Sequence, residues 1–511
     1  MKELQGGGFG QSNACGGDAR APARLPVAGG CGRVLYVAVS DGCSVTRLTF
    51  ERGTLLLTNA SRNELPCAAH AGWTWDGRVA AWRCPAIHYA AIRRALPHRR
   101  GDRFVDDLPP PPRVAFAGGD LPPLRKEQRE ALAAWEGAGH RGVIVMPTGT
   151  GKTQVALAAM ARLRAATLIV APVRDLMHQW HQRILRGLGY DAGIVGDTFF
   201  NIRPVTVTTY DSAYLHMAEM GERFALVVFD EAHHLPGRCY REAAMLCAAP
   251  LRMGLTATPE RSDGRESDLP LLVGPIVYRQ EIAQARGRTL ADYEVVRIPV
   301  KLSSDEQRRY EAAGRFIRSF IIRRRQEVSG YGWEDLCSEV GRDPDARKAQ
   351  LASRLRKSIE DRAQEKLRVL EDIFRLHAGQ RTIVFAGSNR MAIDISTRFL
   401  VPTLLSHSRK TERRVVLEGF AAGRFPILVA NRVLDEGVDV PEAKVAVVVG
   451  GQASTRQAKQ RLGRILRPTG QVRATLYEVV CDDTGDVERS RARRRSDAYD
   501  RVRNRAMVPE E

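Results

Sequence analysis

The sequence predicts an α/β protein with two tandem parallel-sheet domains, a small α+β domain ahead of them and a helical insertion. Three observations predict this fold class. The chain has 511 residues, of which 44% are apolar, so it can bury several separate cores. From residue 124 onward, short apolar runs alternate with helical patterns, which is typical of a doubly wound parallel sheet. A second series of the same kind begins after residue 366, so two such domains are expected.

The N-terminal part of the chain is expected to contain one small domain and a linker. Residues 1–30 are rich in glycine and alanine, and this composition predicts disorder. Residues 31–105 contain short β-branched and aromatic runs, such as "RVLYVAVS" and "GTLLLTN", followed by a helix-like end. We therefore predict a small α+β domain over 31–105. The proline-rich stretch over 106–123 predicts a stiff linker.

The two α/β domains are predicted over 124–298 and 367–480. The strands of the first are expected at "GVIVM" (142–146), "ATLIVAP" (166–172), "VTVTTY" (205–210), "FALVVF" (224–229) and "MGLTAT" (253–258). The strands of the second are expected at "RTIVFAG" (381–387), "TLLSHS" (403–408), "PILVAN" (426–431) and "KVAVVVGG" (444–451). Strands joined by helical segments indicate parallel sheets in both domains.

Two basic segments accompany these domains. Residues 299–366 lack a strand signal and place Tyr310, Ile317 and Phe320 at helical spacing among arginines, which predicts a helical insertion. The tail over 481–511 includes "RSRARRRSDAYDRVRNR" (489–505) and is predicted to form a basic helix that adds affinity for DNA or RNA. For both segments, the alternative to nucleic-acid contact is a charged helix face that is simply exposed to solvent.

Composition restricts the class of partner and the compartment. The formal net charge is +19, and 68 of the 78 basic residues are arginine, whose planar donor fork suits phosphate groups. A polyanion partner is therefore expected, although an arginine-rich proteome would give the same balance. The nine cysteines form no C-x-x-C pair, so reduced thiols in a cytoplasmic protein are expected. The sequence has no signal-peptide core and no membrane-length apolar run, so no membrane partner is expected.

The stretch "MPTGTGKT" (146–153) predicts a phosphate-binding loop. It lies between an expected strand and an amphipathic helix, and differs from G-x-x-x-x-G-K-[ST] by having Met146 where the first glycine stands. Glycines let backbone N–H groups approach a phosphate, and the helix N-terminus favours its charge. Lys152 is expected to reach the β- and γ-phosphates, and Thr153 to bind Mg²⁺. The residues expected to line the nucleotide are Pro147, Thr148, Gly149, Thr150, Gly151, Lys152 and Thr153.

An acidic pair is expected at the same edge of the first sheet. "FALVVFDEAHHLPG" (224–237) places Asp230 and Glu231 at the carboxyl end of an apolar strand, where ligands of parallel sheets bind. We expect Asp230 to hold Mg²⁺ and Glu231 to orient and deprotonate the attacking water. An acidic helix cap is the alternative, but it leaves the upstream lysine loop unexplained.

Ordered motifs over about 124–480 resemble those of the superfamily 2 helicases and translocases, of the DEAH type. "PTGTGKT", "DEAHH" and "GLTATP" (254–259) resemble motifs I, II and III, and in this family motif I commonly lacks the first glycine. Strand-contact motifs are similar to "APVRDLMHQW" (171–180) and "VTTYDSAY" (207–214). Motifs IV, V and VI resemble "VFAGSN" (384–389), "LVANRVLDEGVDVPEA" (428–443) and "QAKQRLGRILRP" (457–468). The resemblance implies tandem RecA-like domains that hydrolyse ATP with Mg²⁺ and move along nucleic acid.

The resemblance also assigns roles to residues outside the phosphate loop. It implies that Gln128, together with Arg125, recognises adenine, and that Gly437 and Asp439 of motif V sense the nucleotide and contact the strand. It implies that Arg464 and Arg467 of motif VI act across the interdomain cleft, with Arg467 as an arginine finger on the γ-phosphate. A basic helix surface is the alternative for this pair. His233 either couples the nucleotide to motif III or makes a structural hydrogen bond.

Within the superfamily, the chain is most similar to the xeroderma-pigmentosum-B-like DNA repair helicases. The similarity rests on "LRKEQREALAAW", "PTGTGKT" and "GLTATPERSDGRESDLPLLVGPIVY", and on the positions of the small domain and the insertion. It implies that 31–105 senses DNA distortion and that the insertion is a thumb. The Arg-Glu-Asp tripeptide that this type uses in splitting a duplex does not occur in the sequence. The predicted function is an ATP-dependent DNA helicase or translocase in DNA repair.

Three other functions stay open at this point. A double-strand DNA translocase, or the motor subunit of a restriction system, would move DNA without separating strands, and any cleavage would need a nuclease partner. A DEAH-type RNA helicase would act on RNA instead of DNA. An ATP-gated clamp would bind nucleic acid without moving along it.

Overall fold

The computed structural model describes residues 45–66, 72–95, 104–261, 263–285, 293–405, 407–431, 443–451, 474–494 and 502–504. All of these residues belong to one compact unit, Val45–Glu511. The expected disordered segment 1–30 and the expected strand at 33–40 lie outside the described residues, as do Gly437, Asp439, Arg464 and Arg467. In the described part of the chain, no helix combines the length and the apolar character needed to cross a membrane.

The small N-terminal domain is a five-stranded sheet covered by one helix. Its elements are β1 (Thr46–Glu51), β2 (Thr54–Thr58), β3 (Thr74–Asp76), β4 (Ala81–Pro85), α1 (Tyr89–Ala95) and β5 (Phe104–Asp106). The strand order is β3-β4-β2-β1-β5, and only the β1–β5 pair is parallel. Arg52 and Gly53 turn β1 into β2 with positive φ angles of 47° and 83°, the conformation of a tight hairpin turn.

The segment between the small domain and the first α/β domain lies against the latter. The backbone N–H of Val114 donates to the Arg164 carbonyl at 2.8 Å, and that of Asp120 donates to the Arg186 carbonyl at 3.2 Å. A Cβ on Gly119 would come within 2.2 Å of the backbone of Gly187, so the approach requires glycine. The proline-rich linker is thus fixed along the surface of the first α/β domain.

The first α/β domain has an eight-stranded sheet. Its strands are β6 (Arg141–Val145), β7 (Thr167–Ala171), β8 (Gly193–Gly196), β9 (Phe199–Phe200), β10 (Val205–Thr209), β11 (Leu226–Asp230), β12 (Leu251–Thr256) and β13 (Ile276–Arg279). Its helices are α2 (Lys126–Gly137), α3 (Lys152–Leu163), α4 (Arg174–Leu188), α5 (Tyr210–Met220), α6 (Arg241–Met245), α7 (Leu269–Leu272) and α8 (Ile282–Ala285). The strand order is β13-β6-β12-β11-β7-β10-β8-β9, and only β8 and β9 pair antiparallel.

This strand order decides which loops meet. Strand β12 lies between β6 and β11, so the segments that follow these three parallel strands leave the sheet at one edge, side by side. Alternate residues of each strand enter two separate cores. Ile144 of β6 packs in the core that contains Trp135 and Trp180, whereas Val143 and Val145 pack on the other face. The near-continuous apolar runs in the sequence reflect this burial on both faces.

The second α/β domain has a seven-stranded parallel sheet. Its strands are β14 (Tyr293–Val300), β15 (Thr382–Phe385), β16 (Thr403–Leu404), β17 (Ile427–Ala430), β18 (Val445–Val448), β19 (Ala474–Cys481) and β20 (Val502–Asn504), in the order β16-β17-β15-β18-β19-β14-β20. The helices that follow the insertion are α12 (Gln364–Leu376), α13 (Asn389–Phe399), α14 (Lys410–Ala421) and α15 (Gly485–Arg494). The predicted α/β class with two parallel-sheet domains is confirmed.

Two predicted boundaries need correction. The sequence pattern predicts that the first domain ends at residue 298, but β14 pairs with β19 from Tyr293 to Val300 and therefore belongs to the second sheet. The sequence pattern predicts a basic tail over 481–511, but in the described part of that segment α15 packs into the second domain. Arg493 in this helix is 2% exposed and donates to Glu478 at 2.7 Å, so it is unavailable to nucleic acid. Both pairings join residues far apart in the sequence, which a local pattern does not reveal.

The insertion is helical, as the sequence predicted, and its last helix contacts the second domain. It consists of α9 (Ser304–Glu327), α10 (Trp333–Glu339) and α11 (Pro344–Asp361). The contacts Tyr310–Glu360 and Arg323–Asp345 show that α9 and α11 run antiparallel. The buried Glu360 accepts a hydrogen bond from the Tyr310 hydroxyl at 2.7 Å and pairs with Arg489 of α15.

Candidate functional site

The phosphate-binding loop forms the turn between β6 and α3. Gly149 and Gly151 have φ angles of 88° and 85°, which residues with a side chain rarely adopt. Lys152 is only 9% exposed, and its Nζ donates to the Met146 carbonyl at 3.1 Å. The Met146 side chain is fully buried in the core of the first domain. Methionine at the first-glycine position therefore anchors the start of the loop in that core.

Gln128 supports this loop from α2. Its side-chain nitrogen donates to the Thr150 carbonyl at 2.9 Å, and its oxygen accepts the backbone N–H of Arg125 at 2.9 Å. A Cβ on Gly151 would lie 2.4 Å from the Gln128 nitrogen, so a larger residue here would displace the Gln128 amide from the loop. Gln128 is buried, whereas Arg125 is exposed beside it. The role of these two residues in adenine recognition stays a prediction.

The acidic pair lies at the end of β11. The Asp230 carboxylate accepts the Glu231 backbone N–H at 3.0 Å and the Trp180 indole N–H at 2.8 Å. Glu231 has a left-handed backbone with φ of 47°, which turns the chain sharply out of the sheet. The buried Tyr210 hydroxyl donates to the Asp230 carbonyl at 3.0 Å. Burial, together with the nearby carboxylates of Asp230 and Glu231, raises the pKa of Tyr210 well above its usual value.

His233 joins the acidic segment to the segment that follows β12. The ring is fully buried, and its Nδ1 lies 3.0 Å from the Thr256 hydroxyl and 3.4 Å from a carboxylate oxygen of Glu231. The Thr256 hydroxyl also accepts the Thr258 backbone N–H at 3.1 Å. Arg261 donates to the His233 carbonyl at 2.6 Å. The contact that a coupling role for His233 requires is therefore present, and the role itself stays a prediction.

Two residues of this site were missed by the sequence analysis, and both lie on α4. Trp180 donates its indole N–H to Asp230, as described above, and the Arg183 guanidinium donates to the Thr153 hydroxyl at 2.9 Å. They are one helical turn apart, so they lie on the same face of α4. Their spacing in "MHQWHQR" (177–183) indicates only that they share one face of a helix. It does not reveal their partners, which are 50 and 30 residues away in the sequence.

A polar cleft of about 380 Å³ separates the two α/β domains beside this site. Its walls are formed by Pro172, Val173, Arg174, Asp175, Thr209, Asp211 and Ser212 of the first domain and by Ser408 and Arg413 of the second. Arg413 reaches across the cleft and lies 3.5 Å from Asp175. Hydroxyl groups and guanidinium groups are the donors that commonly bind phosphate oxygens of a nucleic-acid backbone. This cleft contains parts of the two expected strand-contact motifs.

The residues at this edge of the sheet fit a magnesium nucleotide. The two positive-φ glycines open the loop to a phosphate, and the buried Lys152 supplies a cation beside it. Thr153 and Asp230 offer hydroxyl and carboxylate oxygens, which are the hard ligands that Mg²⁺ prefers. Of the expected site residues, those of the loop and the acidic segment are brought to one edge of the sheet. Gly437, Asp439, Arg464 and Arg467 lie outside the described residues.

Three protein-family models match the chain. The model of the type III restriction enzyme res subunit matches residues 121–261. The helicase conserved C-terminal domain matches residues 365–469. The xeroderma pigmentosum group B helicase damage recognition domain matches residues 48–107, which are the small N-terminal domain.

Individual proteins resemble the chain over most of its length. It is 39% identical over 427 residues to the DNA 3'-5' translocase XPB2 of Sulfurisphaera tokodaii. This match covers 83% of this chain and 96% of that protein. It is 32% identical over 388 residues to the DNA 3'-5' helicase XPB of Kineococcus radiotolerans. This match covers 73% of this chain and 62% of that protein. The chain thus spans nearly all of the first relative and less than two thirds of the second.

The fold also resembles that of a solved structure. S. cerevisiae Dbp5 bound to RNA and ADP BeF3 matches with a TM-score of 0.52 at 15% identity, over 75% of this chain and 89% of that chain. At 15% identity, this similarity supports the fold and says nothing about function. It agrees with the tandem RecA-like arrangement that the motifs implied.

Proposed function

Because the chain belongs to the XPB family of ATP-dependent DNA helicases and translocases, we propose that it moves 3' to 5' along DNA and separates strands during repair. The observation that carries this proposal is the meeting of three segments at one sheet edge. The phosphate loop, the Asp230–His233 segment and the Thr256–Thr258 segment adjoin there, next to a polar cleft between the two domains. An ATP site beside a nucleic-acid cleft is the arrangement that a motor requires.

Within this function, the residues of the first domain divide the work of ATP hydrolysis. Lys152 binds the β- and γ-phosphates, and the residues from Pro147 to Thr153 hold the triphosphate through backbone N–H groups. Thr153 and Asp230 would hold Mg²⁺, which when bound neutralises charge on the phosphate oxygens. Glu231, as part of a DEAH box, orients the attacking water and accepts its proton.

Other residues complete the site from outside the loop. Gln128 and Arg125 recognise adenine, with Gln128 also bracing the loop through Thr150. Gly437 and Asp439 relay the nucleotide state to the strand. Arg464 and Arg467 approach the γ-phosphate from the second domain. These roles are supported by the family resemblance of the motifs in which the residues lie.

Domain closure converts hydrolysis into movement in this proposal. ATP held between the two domains favours a closed cleft, and its hydrolysis allows the cleft to open. Each domain contributes donors to the cleft, so alternate gripping of the backbone advances the motor. Contacts to the phosphate backbone make this motion independent of base sequence and sensitive to salt.

Translocation without strand separation is the second candidate. It is favoured by the absence of a contiguous Arg-Glu-Asp tripeptide and by the name of the Sulfurisphaera relative, which is a translocase.

The remaining proposals concern domains, partners and compartment. We propose that the small N-terminal domain senses DNA distortion, that the insertion acts as a thumb, and that a nuclease or repair protein assists the motor. A cytoplasmic location is supported by the free thiols of Cys84, Cys239, Cys247, Cys337 and Cys481 among the described residues.

One experiment distinguishes the candidates. ATPase stimulation and strand displacement are measured with single-stranded DNA, blunt duplex, forked duplex and RNA, with Lys152→Ala as the inactive control. We expect DNA to stimulate hydrolysis and the forked duplex with a 3' tail to be opened. Displacement of a triplex-forming strand without duplex opening would favour the translocase. Stimulation by RNA alone would refute the DNA proposal, and DNA binding with negligible turnover would indicate a clamp.

A further inference from the structure

Helix α4 directs two hydrogen-bond donors at two side chains of the proposed metal site. Trp180 and Arg183 lie one turn apart, and they donate to Asp230 at 2.8 Å and to Thr153 at 2.9 Å. One donor is neutral, and the other carries a permanent positive charge. The two donors should therefore act on a bound metal in opposite directions.

Trp180 is placed to fix the Asp230 carboxylate. Its ring is 1% exposed, and it packs in the core of the first domain, so the indole N–H has a fixed direction. The other carboxylate oxygen accepts the Glu231 backbone N–H at 3.0 Å. A carboxylate has about four lone-pair sites, so these two bonds set its orientation and leave sites for a metal or its water. A neutral donor adds no charge that would repel the metal.

Arg183 is placed to compete for the Thr153 hydroxyl. A Mg²⁺ ion on that oxygen would lie about 2.1 Å from it. The guanidinium donor lies 2.9 Å from the same oxygen. Two cations would then share one hydroxyl group at a separation of about 5 Å or less, where like charges repel even when water screens them.

We propose that Trp180 is a positioning residue that orients Asp230 for the metal of the ATP site, and that Arg183 holds the Thr153 hydroxyl until Mg²⁺ displaces it. This proposal rests on the proposed ATPase function of the same site. Arg183 thus raises the metal concentration that the enzyme needs, whereas Trp180 lowers it. If both residues only stabilised the fold, their removal would not shift metal affinity in opposite directions.

The test measures metal binding directly, with the full chain and with Mn²⁺ as the probe. Binding of Mn²⁺ to the enzyme–ADP complex is followed by electron paramagnetic resonance for Trp180→Phe and Arg183→Gln. Phenylalanine keeps an aromatic ring and removes the N–H, while glutamine keeps a polar side chain and removes the charge. The matched control is Arg186→Gln, which removes an exposed arginine one turn further along α4.

Trp180→Phe should weaken Mn²⁺ binding about tenfold, the usual effect of losing a partner that orients a metal ligand. Arg183→Gln should tighten it about fifteenfold, as expected from removing one positive charge about 5 Å from a divalent ion at the dielectric constant of water. Arg186→Gln should leave it unchanged. The Mg²⁺ concentration for half-maximal ATPase activity should shift in the same directions, and excess Mg²⁺ should restore the turnover of Trp180→Phe.

Unchanged affinity in both variants, or a shift in the same direction, would overturn the inference. If Trp180→Phe does not fold, Arg183→Gln still decides, because Arg183 is only half-buried and tighter binding is not a result of damage to the fold. If the unaltered enzyme binds no Mn²⁺ with ADP, the proposed ATP site itself is wrong. Failure of the inference and failure of the proposed function are thereby distinguished.

Discussion

At the scale of single residues, the proposed ATP site contains a backbone conformation that residues with a side chain rarely adopt. Glu231 has a φ of 47°, and a left-handed conformation of this kind costs of order 1 kcal/mol for a residue with a side chain. The surrounding contacts sustain it, since the backbone N–H of Glu231 donates to Asp230 and His233 lies near its carboxylate. The conformation turns the Glu231 side chain away from the direction that a continued strand would give it.

The role of Glu231 predicts a separation of binding from chemistry. Glu231→Gln keeps the shape of the side chain and removes its ability to accept a proton. We expect ATP binding to be retained and turnover to fall by about 10²–10⁴-fold, the usual contribution of a general base. Binding of a fluorescent ATP analogue and steady-state hydrolysis measure the two effects. Turnover within a factor of two of the unaltered enzyme would contradict the assignment.

At the scale of secondary-structure elements, a buried ion pair fixes α15 to α12. Lys366 and Asp486 are 0% and 1% exposed in their side chains, and their charged atoms are 2.7 Å apart. Lys366 also donates to the Val449 carbonyl at 2.8 Å, and Asp486 accepts the Cys481 backbone N–H at 3.2 Å. Every contact of this pair joins elements of the second domain. Helix α15 is thus part of that domain.

Removal of one partner should destabilise the protein strongly. Lys366→Met removes the nearest cation from the buried Asp486 carboxylate and leaves only the more distant Arg489, at 3.4 Å, beside it. Loss of one partner of a buried pair typically costs about 3–5 kcal/mol in the free energy of unfolding. The double variant Lys366→Met/Asp486→Leu should lose much less, because no unpaired charge remains. Denaturant unfolding measures both. Lys348→Met, which removes an exposed lysine paired with Asp345, serves as control and should change stability by less than about 0.5 kcal/mol.

The same pair predicts a dependence on pH. Burial alone would raise the pKa of Asp486, but Lys366, with Arg489 and Arg493, outweighs it and lowers the pKa below the usual value. A carboxyl group with a lowered folded-state pKa stabilises the fold above its unfolded pKa of about 3.9. This contribution is lost as the pH falls through the folded-state value. The stability difference between the unaltered protein and Asp486→Asn should therefore be full at pH 7 and shrink below about pH 4.

At the scale of the whole molecule, the two α/β domains meet across the polar cleft. Helix α4 begins in that cleft at Arg174 and Asp175, and about two turns later its residues Trp180 and Arg183 contact Asp230 and Thr153. Arg413 of the second domain lies 3.5 Å from Asp175 across the cleft. One rigid helix therefore joins the proposed DNA-binding cleft to the proposed metal site. A shift of α4 caused by movement of the second domain would therefore change side-chain positions both in the cleft and at the proposed metal site.

The cleft predicts how a single arginine affects DNA binding. Arg413→Gln should weaken binding of DNA of any base sequence to a similar extent, because a phosphate contact carries no base information. It should also reduce the slope of log affinity against log salt concentration by about one. Fluorescence anisotropy over a range of salt concentrations measures both. Arg414→Gln, which removes the neighbouring exposed arginine on α14, is the control, and an equal effect of both variants would contradict a specific role for Arg413.

The sequence by itself determined the α/β class, the helical insertion and the segments of the proposed ATP site. These features are written in local patterns, because periodicity and loop composition specify the conformation of each segment. Only the tertiary structure decided that β14 joins the second sheet, that α15 is packed, and that Trp180 and Arg183 contact Asp230 and Thr153. These contacts join residues far apart in the chain. They depend on strand order and packing, which no local pattern encodes.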